Sequence, residues 1–230
     1  MYIPAHFAAG DLEATAAFVD RAGAADLVTF DGSSPVATLL PMIWERPEGP
    51  GRDGAGRDGG GRDGGGYGRL LGHIALQNPQ WRTVAAGAGA LAIVHGPQAY
   101  ISPSWYASTK EHGRTVPTWN YTTVHFTGQV TFHQDPEWLR DIVTRLTERY
   151  EAGRAGRWWV GGAPEKFIAG QLRAIVGVEF EIARIEAKDK LSQNRTDQDR
   201  ANVIAALRQE PDTGAHQIAR LMEQREAARD

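Results

Sequence analysis

Cysteine is absent from the 230 residues of the sequence. Without it the chain has no disulfide bond, no thiolate metal ligand and no cysteine nucleophile. The first residues, MYIPAHFAAGDLEA, lack the basic segment and apolar run of an export signal, and no apolar stretch approaches the length of a membrane span. These absences predict a cytoplasmic protein with no membrane partner.

An excess of charge of either sign is also missing. The sequence has 25 Lys and Arg residues against 28 Asp and Glu residues, which gives a formal net charge of -3. No overall electrostatic attraction to nucleic acid or to an anionic membrane is therefore expected, although a local basic patch stays open. Hydrophobic residues make up 41% and charged residues 23% of the chain, which is ordinary globular usage.

Familiar catalytic and metal-binding motifs are missing as well. None of the candidate nucleophilic serines lies in a Gly-x-Ser-x-Gly elbow. No two of the seven histidines have the i, i+4 spacing of a helical zinc site, so we predict no metal site. Glu179 and Glu181 alternate with apolar residues on one strand, and a solvated strand face explains that pair better than acid–base catalysis.

Glycine is abundant in one segment only. Between Trp44 and Leu70 the tract GPGRDGAGRDGGGRDGGGYG repeats Gly-Arg-Asp-Gly, but it lacks the Gly-Lys-Ser/Thr ending of a phosphate loop. Glycine makes an ordered conformation entropically costly, and almost nothing in this tract can be buried. We therefore predict that residues 47–66 form a flexible insertion loop.

Alternating and turn-forming patterns predict a mainly β protein with helices. The runs AADLVTF and PVATLLPMIWE, separated by DGSSP, predict a hairpin, and NYTTVHFTGQVTFH and VGVEFEIARIEA alternate as half-buried strands do. Short turns between successive strands favour antiparallel pairing, because a parallel sheet needs a crossover helix between strands. The fold class predicted is α+β, with an antiparallel barrel decorated by peripheral and C-terminal helices.

Capping residues predict where several helices begin. Asp11, Asp135 and Thr196 each precede a helical pattern, and Asn78 precedes a proline that suits a first helical position. The last two helices, over 196–208 and 214–229, have the order of a helix-turn-helix. Acidic neighbours cancel most of their arginine charge, so direct DNA binding receives weak support and helices that pack on the barrel are favoured.

The stretch from Tyr100 to Tyr121 is rich in aromatic residues but shows no regular periodicity. Its aromatic side chains either cap the end of a barrel or a subunit interface, or they flank a flat heteroaromatic ring. In the second interpretation, nearby polar residues hold the charged tail of that ring. Spacing alone favours the first interpretation.

Several sequence blocks, taken in order, resemble one protein family. They are MYIPAHF, GHIALQNPQW, GPQAYISPSWY, HGRTVPTWNYTTVHFTG, LRAIVGVEFEIARIEAKDKLSQNR and RANVIAAL. They are similar to the PaiB-type FMN-binding negative transcriptional regulators, from Met1 to about Leu207. The resemblance implies an antiparallel split β-barrel of the FMN-binding type at 1–190, a C-terminal helical extension at 191–230, and a homodimer with FMN at the subunit interface.

The resemblance also implies cofactor contacts in the first half of the chain. Thr38 and Leu39 lie on a strand expected to run beside the isoalloxazine ring. His73 lies at a strand end and Asn78 at a helix start, where free amide groups favour an anion. His73 and Asn78 are therefore assigned to the phosphate end of FMN.

A second set of expected FMN contacts lies in the blocks WNY and KLSQNR. Trp119 is expected to stack on the ring and Asn120 to hydrogen-bond to it. The donors expected for phosphate or ring oxygens, supplied from the other subunit, are Lys190, Ser192, Gln193 and Arg195.

The resemblance leaves the biological role open between two classes. It implies an FMN-binding transcriptional regulator or flavin sensor. The alternative is a flavin-dependent oxidoreductase that acts on an unidentified small molecule, because redox chemistry would come from the cofactor and no residue is an obvious proton donor to a specific substrate.

Overall fold

A computed structural model describes residues 1–47 and 66–228. The prediction of a flexible loop at 47–66 lies outside the described residues, apart from its two end positions. The strands of the described part are β1 (Ala24–Phe30), β2 (Pro35–Glu45), β3 (Arg69–Ala75), β4 (Ala88–Ile101), β5 (Thr118–His133) and β6 (Ile175–Lys190). The α-helices of the described part are α1 (Leu12–Ala22), α2 (Gln80–Thr83), α3 (Ala107–His112), α4 (Pro136–Glu151), α5 (Glu165–Leu172), α6 (Asp197–Leu207) and α7 (Thr213–Ala227). Of these helices, none combines the length and the apolar character needed to span a membrane.

The six strands close into a barrel in the order β1-β2-β3-β6-β5-β4. The pairs β1–β2, β1–β4, β2–β3 and β3–β6 are antiparallel. The predicted antiparallel barrel with helices is therefore confirmed.

The chain divides into two compact units. The barrel unit comprises Asp11–Val94 and His125–Glu186, and the helical unit comprises Met1–Gly10, His95–Val124 and Ala187–Asp230. Strands β4, β5 and β6 contribute residues to both units. The predicted domain boundary after Lys190 stays a prediction.

Local side-chain bonds explain why the elements begin and end where the sequence indicates. The Asp31 carboxylate accepts hydrogen bonds from the backbone N–H groups of Ser33 and Ser34, both at 2.8 Å, which closes the β1–β2 hairpin. The side chains of Asp11, Asp135 and Thr196 accept bonds from backbone N–H groups at the starts of α1, α4 and α6. These three predicted helix caps are confirmed. The fourth prediction, with Asn78 as cap and Pro79 as the first helical residue, is one residue early, because α2 begins at Gln80 after Pro79.

The core of the barrel unit is formed by the inward face of each strand. Trp44 and Phe126 meet edge to face with ring centroids 5.1 Å apart. Leu27, Leu70 and Phe180 are among the most completely buried side chains around them. Each such side chain contributes about 1.5 to 3 kcal/mol through the removal of apolar surface from water.

Helix α4 covers part of the outward face of the barrel unit. Leu71 on β3 packs against Ile142 and Leu146 of α4. Ion pairs surround this contact: Arg145 bonds Glu45 at 2.8 Å, and Arg69 bonds Glu179 at 2.9 Å. These pairs are partly exposed, so each contributes little beyond orientation and most of the stability comes from the apolar contact.

The helical unit has its own core. Ile101, Tyr106, Val203, Leu207 and Ile218 are buried in one cluster that joins the end of β4 to α6 and α7. The aromatic stretch was expected to be irregular, but residues 103–105 form a 3₁₀ turn and residues 107–112 form α3. Helix α3 is held in place because buried Asp199 accepts bonds from the N–H and the hydroxyl of Ser108.

Gly128 on β5 lies where no side chain fits. A Cβ atom at this position would lie 1.9 Å from the backbone oxygen of Glu181 and 2.8 Å from the ring of Phe180. We expect Gly128→Ala to lower the free energy of unfolding by about 1 to 3 kcal/mol, because backbone cannot move aside without strain. Urea denaturation measures this change.

The matched control for that substitution is Gly89→Ala on β4. A Cβ atom at Gly89 meets nothing within 4 Å. This variant should unfold at the same urea concentration as the parent or slightly higher. Equal stability of both variants would contradict the close approach at Gly128.

Candidate functional site

In the barrel unit, Thr38, Asn78 and Gln80 form a hydrogen-bond network near the amino end of α2. The Asn78 side chain donates to the Thr38 hydroxyl at 2.9 Å and accepts from the Gln80 N–H at 2.9 Å. Gln80 is fully buried, and its amide donates to the Thr29 hydroxyl at 2.9 Å and to the Leu27 carbonyl at 3.1 Å. Helix α2 is therefore tied to β1 and β2 by side-chain amides.

His73 lies on the outward face of β3, two residues after Leu71. Its Nδ1 atom is buried and has no hydrogen-bond partner among the described residues. Burial lowers the pKa of His73 below its ordinary value, because the protonated ring loses solvation. At neutral pH this side chain is an uncharged imidazole.

Leu39 belongs to an exposed apolar face of the barrel unit. The side chain of Leu39 is 68% exposed, and its register partner on β1 is Asp26. The outward partners further along this ladder are Val28 with Ala37 and Phe30 with Pro35. We call the outward residues 28, 30, 35, 37 and 39 the open sheet face; contiguous exposed apolar surface of this kind marks a site of interaction.

In the helical unit, Trp119 presents an aromatic ring to solvent. Its side chain is 51% exposed, and it contacts Tyr100 edge to face with ring centroids 6.2 Å apart. The two rings hold each other in a fixed orientation. Trp119 therefore offers a surface on which a planar molecule can stack.

Lys190 contacts Trp119 and lies near two other cations, Lys188 and Arg195. Lys190 donates from its Nζ to the Trp119 carbonyl at 2.6 Å and to the Thr118 hydroxyl. Burial first, and then the charges of Lys188 and Arg195, lower the pKa of Lys190. A bound anion offsets the repulsion between these like charges, so this cluster favours an anionic ligand.

Lys188 and Arg195 are held by aromatic rings. The Nζ of Lys188 lies 5.4 Å from the ring centroid of Tyr121 and 6.0 Å from those of Tyr2 and Phe7, and it donates to the Tyr2 carbonyl at 3.2 Å. The Arg195 guanidinium carbon lies 4.5 Å above the ring of Tyr106. Cation–π contacts keep both charges in place without neutralising them.

The remaining predicted contacts use their polar groups within the protein. The Asn120 amide donates to the Ser192 hydroxyl at 3.0 Å, and that hydroxyl donates back to the Asn120 oxygen at 3.2 Å. The Gln193 side chain accepts from the Leu191 N–H at 2.7 Å. These three side chains build a turn, and direct contact with a ligand is better suited to their neighbours.

The ten predicted site residues fall into two sets. Thr38, Leu39, His73 and Asn78 lie in the barrel unit, and the other six lie in the helical unit. The structure joins Thr38 to Asn78, Lys190 to Trp119 and Asn120 to Ser192. Sequence reasoning assigned no role to Gln80 or Lys188, although each lies inside a block that carries the family resemblance, and it considered Tyr106 only as part of the aromatic stretch.

A comparison with sequence families decides what the chain is. Residues 1–184 match the family described as "Putative FMN-binding domain". The chain belongs to this family. A Bacillus subtilis (strain 168) protein named "Protease synthase and sporulation protein PAI 2" is 35% identical over 223 residues, which is 97% of each chain. The predicted family is confirmed, and FMN is its cofactor.

Solved structures confirm the fold. The FAD and heme binding protein from Mycobacterium smegmatis superposes with a TM-score of 0.53 at 18% identity, over 83% of this chain and 77% of that one. The flavocytochrome Anf3 from Azotobacter vinelandii gives 0.52 at 15% identity, over 85% of this chain and 75% of that one. The similarity lies in the split β-barrel, and at these sequence identities it shows a shared fold alone.

The chemistry of the described residues fits FMN. FMN combines a planar ring system with a doubly ionisable phosphate. The half-exposed Trp119 suits the ring, and the like-charged Lys190 and Arg195 suit the phosphate.

The lowered pKa of His73 predicts a pH dependence of stability. The unfolded chain takes up a proton on His73 near pH 6.5, whereas the folded chain takes it up only at lower pH. Stability is therefore fully present above pH 6.5 and falls as the pH decreases below it. His73→Gln should flatten the fall in melting temperature between pH 7.5 and pH 5, roughly the range in which histidine titrates.

His216→Gln provides the control for this experiment, because His216 lies exposed on α7. It should follow the parent protein at every pH. If His73→Gln and the parent melt in parallel across the range, the buried imidazole does not govern this part of the pH profile.

Proposed function

We propose that this chain is an FMN-dependent regulator or flavin sensor that binds the phosphate of FMN through Lys190 and Arg195 and stacks the ring on Trp119. The observation that carries the proposal is the position of Lys190, whose ammonium group donates to the Trp119 carbonyl at 2.6 Å and lies near the charges of Lys188 and Arg195. Burial, and then these two charges, lower the pKa of Lys190. A bound anion would offset the repulsion between the like charges, which favours its binding. The relative named for protease synthesis and sporulation supports a regulatory role.

The described residues favour a sensor over an enzyme in one respect. Polar side chains next to the proposed contacts, such as Asn120 and Ser192, are bonded to each other and buried. When bound, FMN supplies electron-transfer chemistry. The protein side chains named here bind and orient; none of them is placed as a proton donor to a second substrate.

We also propose a homodimer, with the open sheet face as the contact between subunits. This face presents Val28, Phe30, Ala37 and Leu39 outward from neighbouring strands, and the side chain of Phe30 is 57% exposed. Apolar side chains exposed on neighbouring strands are costly in water, and a two-fold axis can pair such a face with its own copy. The family resemblance, which implies a homodimer, supports this proposal.

Direct DNA binding by α6 and α7 receives little support from their charges. Arg200 bonds Glu226 at 2.7 Å, Arg225 lies 3.5 Å from Asp189, and Arg208 pairs with Glu223. Arginines held by carboxylates have less charge to offer a phosphate backbone. The regulator proposed here therefore acts through its flavin-bound state, and a DNA contact by this helix pair stays a weakly supported prediction.

FMN titration of the purified protein tests the proposed contacts. Trp119→Ala and Lys190→Ala should each raise the dissociation constant for FMN about tenfold to a hundredfold, because each removes a stacking surface or a charged donor. Flavin fluorescence measures the change. Lys110→Ala, which removes an exposed lysine of α3, should bind FMN as the parent does.

The same preparation distinguishes a sensor from an oxidoreductase. Reduced nicotinamide, added without oxygen, should leave the absorbance bands of the bound FMN unchanged on the timescale of turnover. Rapid bleaching that reverses in air would instead support the flavin-dependent oxidoreductase. A parent protein that does not bind FMN at all would contradict both roles.

The dimer contact is tested by a charge on the open sheet face. Leu39→Arg should convert a dimer of about twice the 25.1 kDa chain mass into monomers, because a buried arginine would lack a partner. Sedimentation velocity measures the mass. Phe167→Arg alters an exposed side chain of α5 and should leave the dimer intact; equal dissociation of both variants would argue against this face.

A further inference from the structure

The turn that follows β6 contains a conformational outlier. Ser192 has a φ of +63° and is the one non-glycine residue with a positive φ in the described part of the chain. Serine rarely adopts this left-handed conformation, which persists only where the surroundings impose it. The Ser192 side chain is 4% exposed, so the outlier lies in a packed interior rather than in a loose loop.

Asn120 imposes this conformation. Its side chain is 1% exposed and exchanges two hydrogen bonds with the Ser192 hydroxyl, at 3.0 Å and 3.2 Å. The same amide also approaches the sulfur of Met222 at 3.5 Å. A buried pair that satisfies both of its members has one arrangement, because every alternative leaves a polar group unbonded.

The strand segment that carries Asn120 also fixes Lys190. Thr118 and Trp119 accept hydrogen bonds from the Lys190 ammonium group, and Asn120 follows directly. Three consecutive residues of β5 therefore hold both the end of β6 and the turn that follows it. Lys190, two residues before Ser192, is bonded to the same strand, so Ser192 cannot shift without straining these bonds.

The turn also fixes the backbone position of Arg195. The Arg195 N–H donates to the Ser192 carbonyl at 3.0 Å, and the Arg195 carbonyl accepts from the Arg200 guanidinium at 2.5 Å. Gln193 closes the turn from the other side through the Leu191 N–H and the Asp189 carbonyl. The conformation of Ser192 therefore sets the distance between the two cations at either end of the turn.

We infer that Asn120 and Ser192 are positioning residues, which lock the turn over residues 189–195 so that Lys190 and Arg195 present their charges together to the phosphate of FMN. This inference rests on the phosphate assignment under Proposed function. It differs from the sequence-based expectation, in which Asn120 and Ser192 touch the cofactor themselves. Their buried, mutually bonded groups act through the two cations instead.

Comparison of FMN with riboflavin tests the inference, because riboflavin lacks the phosphate. Ser192→Gly removes the hydroxyl but accepts the left-handed backbone, so the fold should survive, with a melting temperature lowered by the loss of the Asn120 side chain's partner. The dissociation constant for FMN should rise about tenfold, as preorganisation of the two cations is lost. Riboflavin binding should change less than about twofold, since its contacts lie outside the turn.

Two controls separate positioning from other roles. Ser104→Gly, an exposed serine in the same unit, should leave both dissociation constants unchanged. In a Lys190→Ala/Arg195→Ala background, Ser192→Gly should have no further effect on FMN, because the groups through which it acts are gone. Asn120→Ala should reproduce the loss of preference for FMN over riboflavin.

Three results would overturn the inference. The first is a further loss of FMN affinity on Ser192→Gly in the Lys190→Ala/Arg195→Ala background, which would show direct contact with the cofactor. The second is an equal loss of affinity for FMN and riboflavin, which would show a structural role only. The third is no change in either dissociation constant. A parent protein that binds riboflavin as tightly as FMN would overturn the phosphate assignment itself, and that result is visible before any variant is made.

Discussion

Closure of the barrel constrains every other feature of the barrel unit, because it fixes which side of each strand faces inward. Once Trp44, Phe126 and Phe180 occupy the interior, alternate residues must point outward. Those outward residues then divide into two groups. Leu71 and its neighbours lie under α4, whereas Leu39 and its neighbours on β1 and β2 lie open. The open group is apolar although it faces solvent, and this exposure is the ground on which the homodimer is proposed.

Much of this arrangement is predictable from the sequence because it depends on interactions between residues close together in the chain. The hairpin at DGSSP and the caps Asp11, Asp135 and Thr196 were predictable because each depends on a side chain that bonds backbone two or three residues away. The helical character of residues 103–112 was not predictable in the same way. It depends on Ser108 reaching Asp199, which lies 91 positions away in the chain. Bonds of such long range leave no periodic signal in one sequence.

The candidate site shows the same limit more sharply. Family resemblance identified Asn120 and Ser192 as residues that matter, and the structure brings them together across 72 positions. Residue type alone suggested that an amide and a hydroxyl would donate to a cofactor. Burial favours a different role for both residues, since a donor that is already bonded and excluded from solvent is poorly placed to bond a ligand. Their direct contact with FMN stays a prediction. Gln80 and Lys188 were not predicted for a related reason. Their roles depend on contacts with residues far away in the chain, which residue type does not reveal.

The sequence offers two groups of residues as candidates to bind the phosphate of FMN, and their electrostatic properties distinguish them. His73 is neutral at pH 7 because burial disfavours its charged form, and the Asn78 amide is occupied by Thr38 and by the backbone of a helix only four residues long. So short a helix has little dipole to offer an anion. Lys190 and Arg195 are in the opposite state, because both are cations on a turn that the Asn120–Ser192 pair holds in place. A dianion would lower the energy of the second arrangement and do nothing comparable for the first, which is why we propose the helical unit, and not the barrel end near α2, for the phosphate.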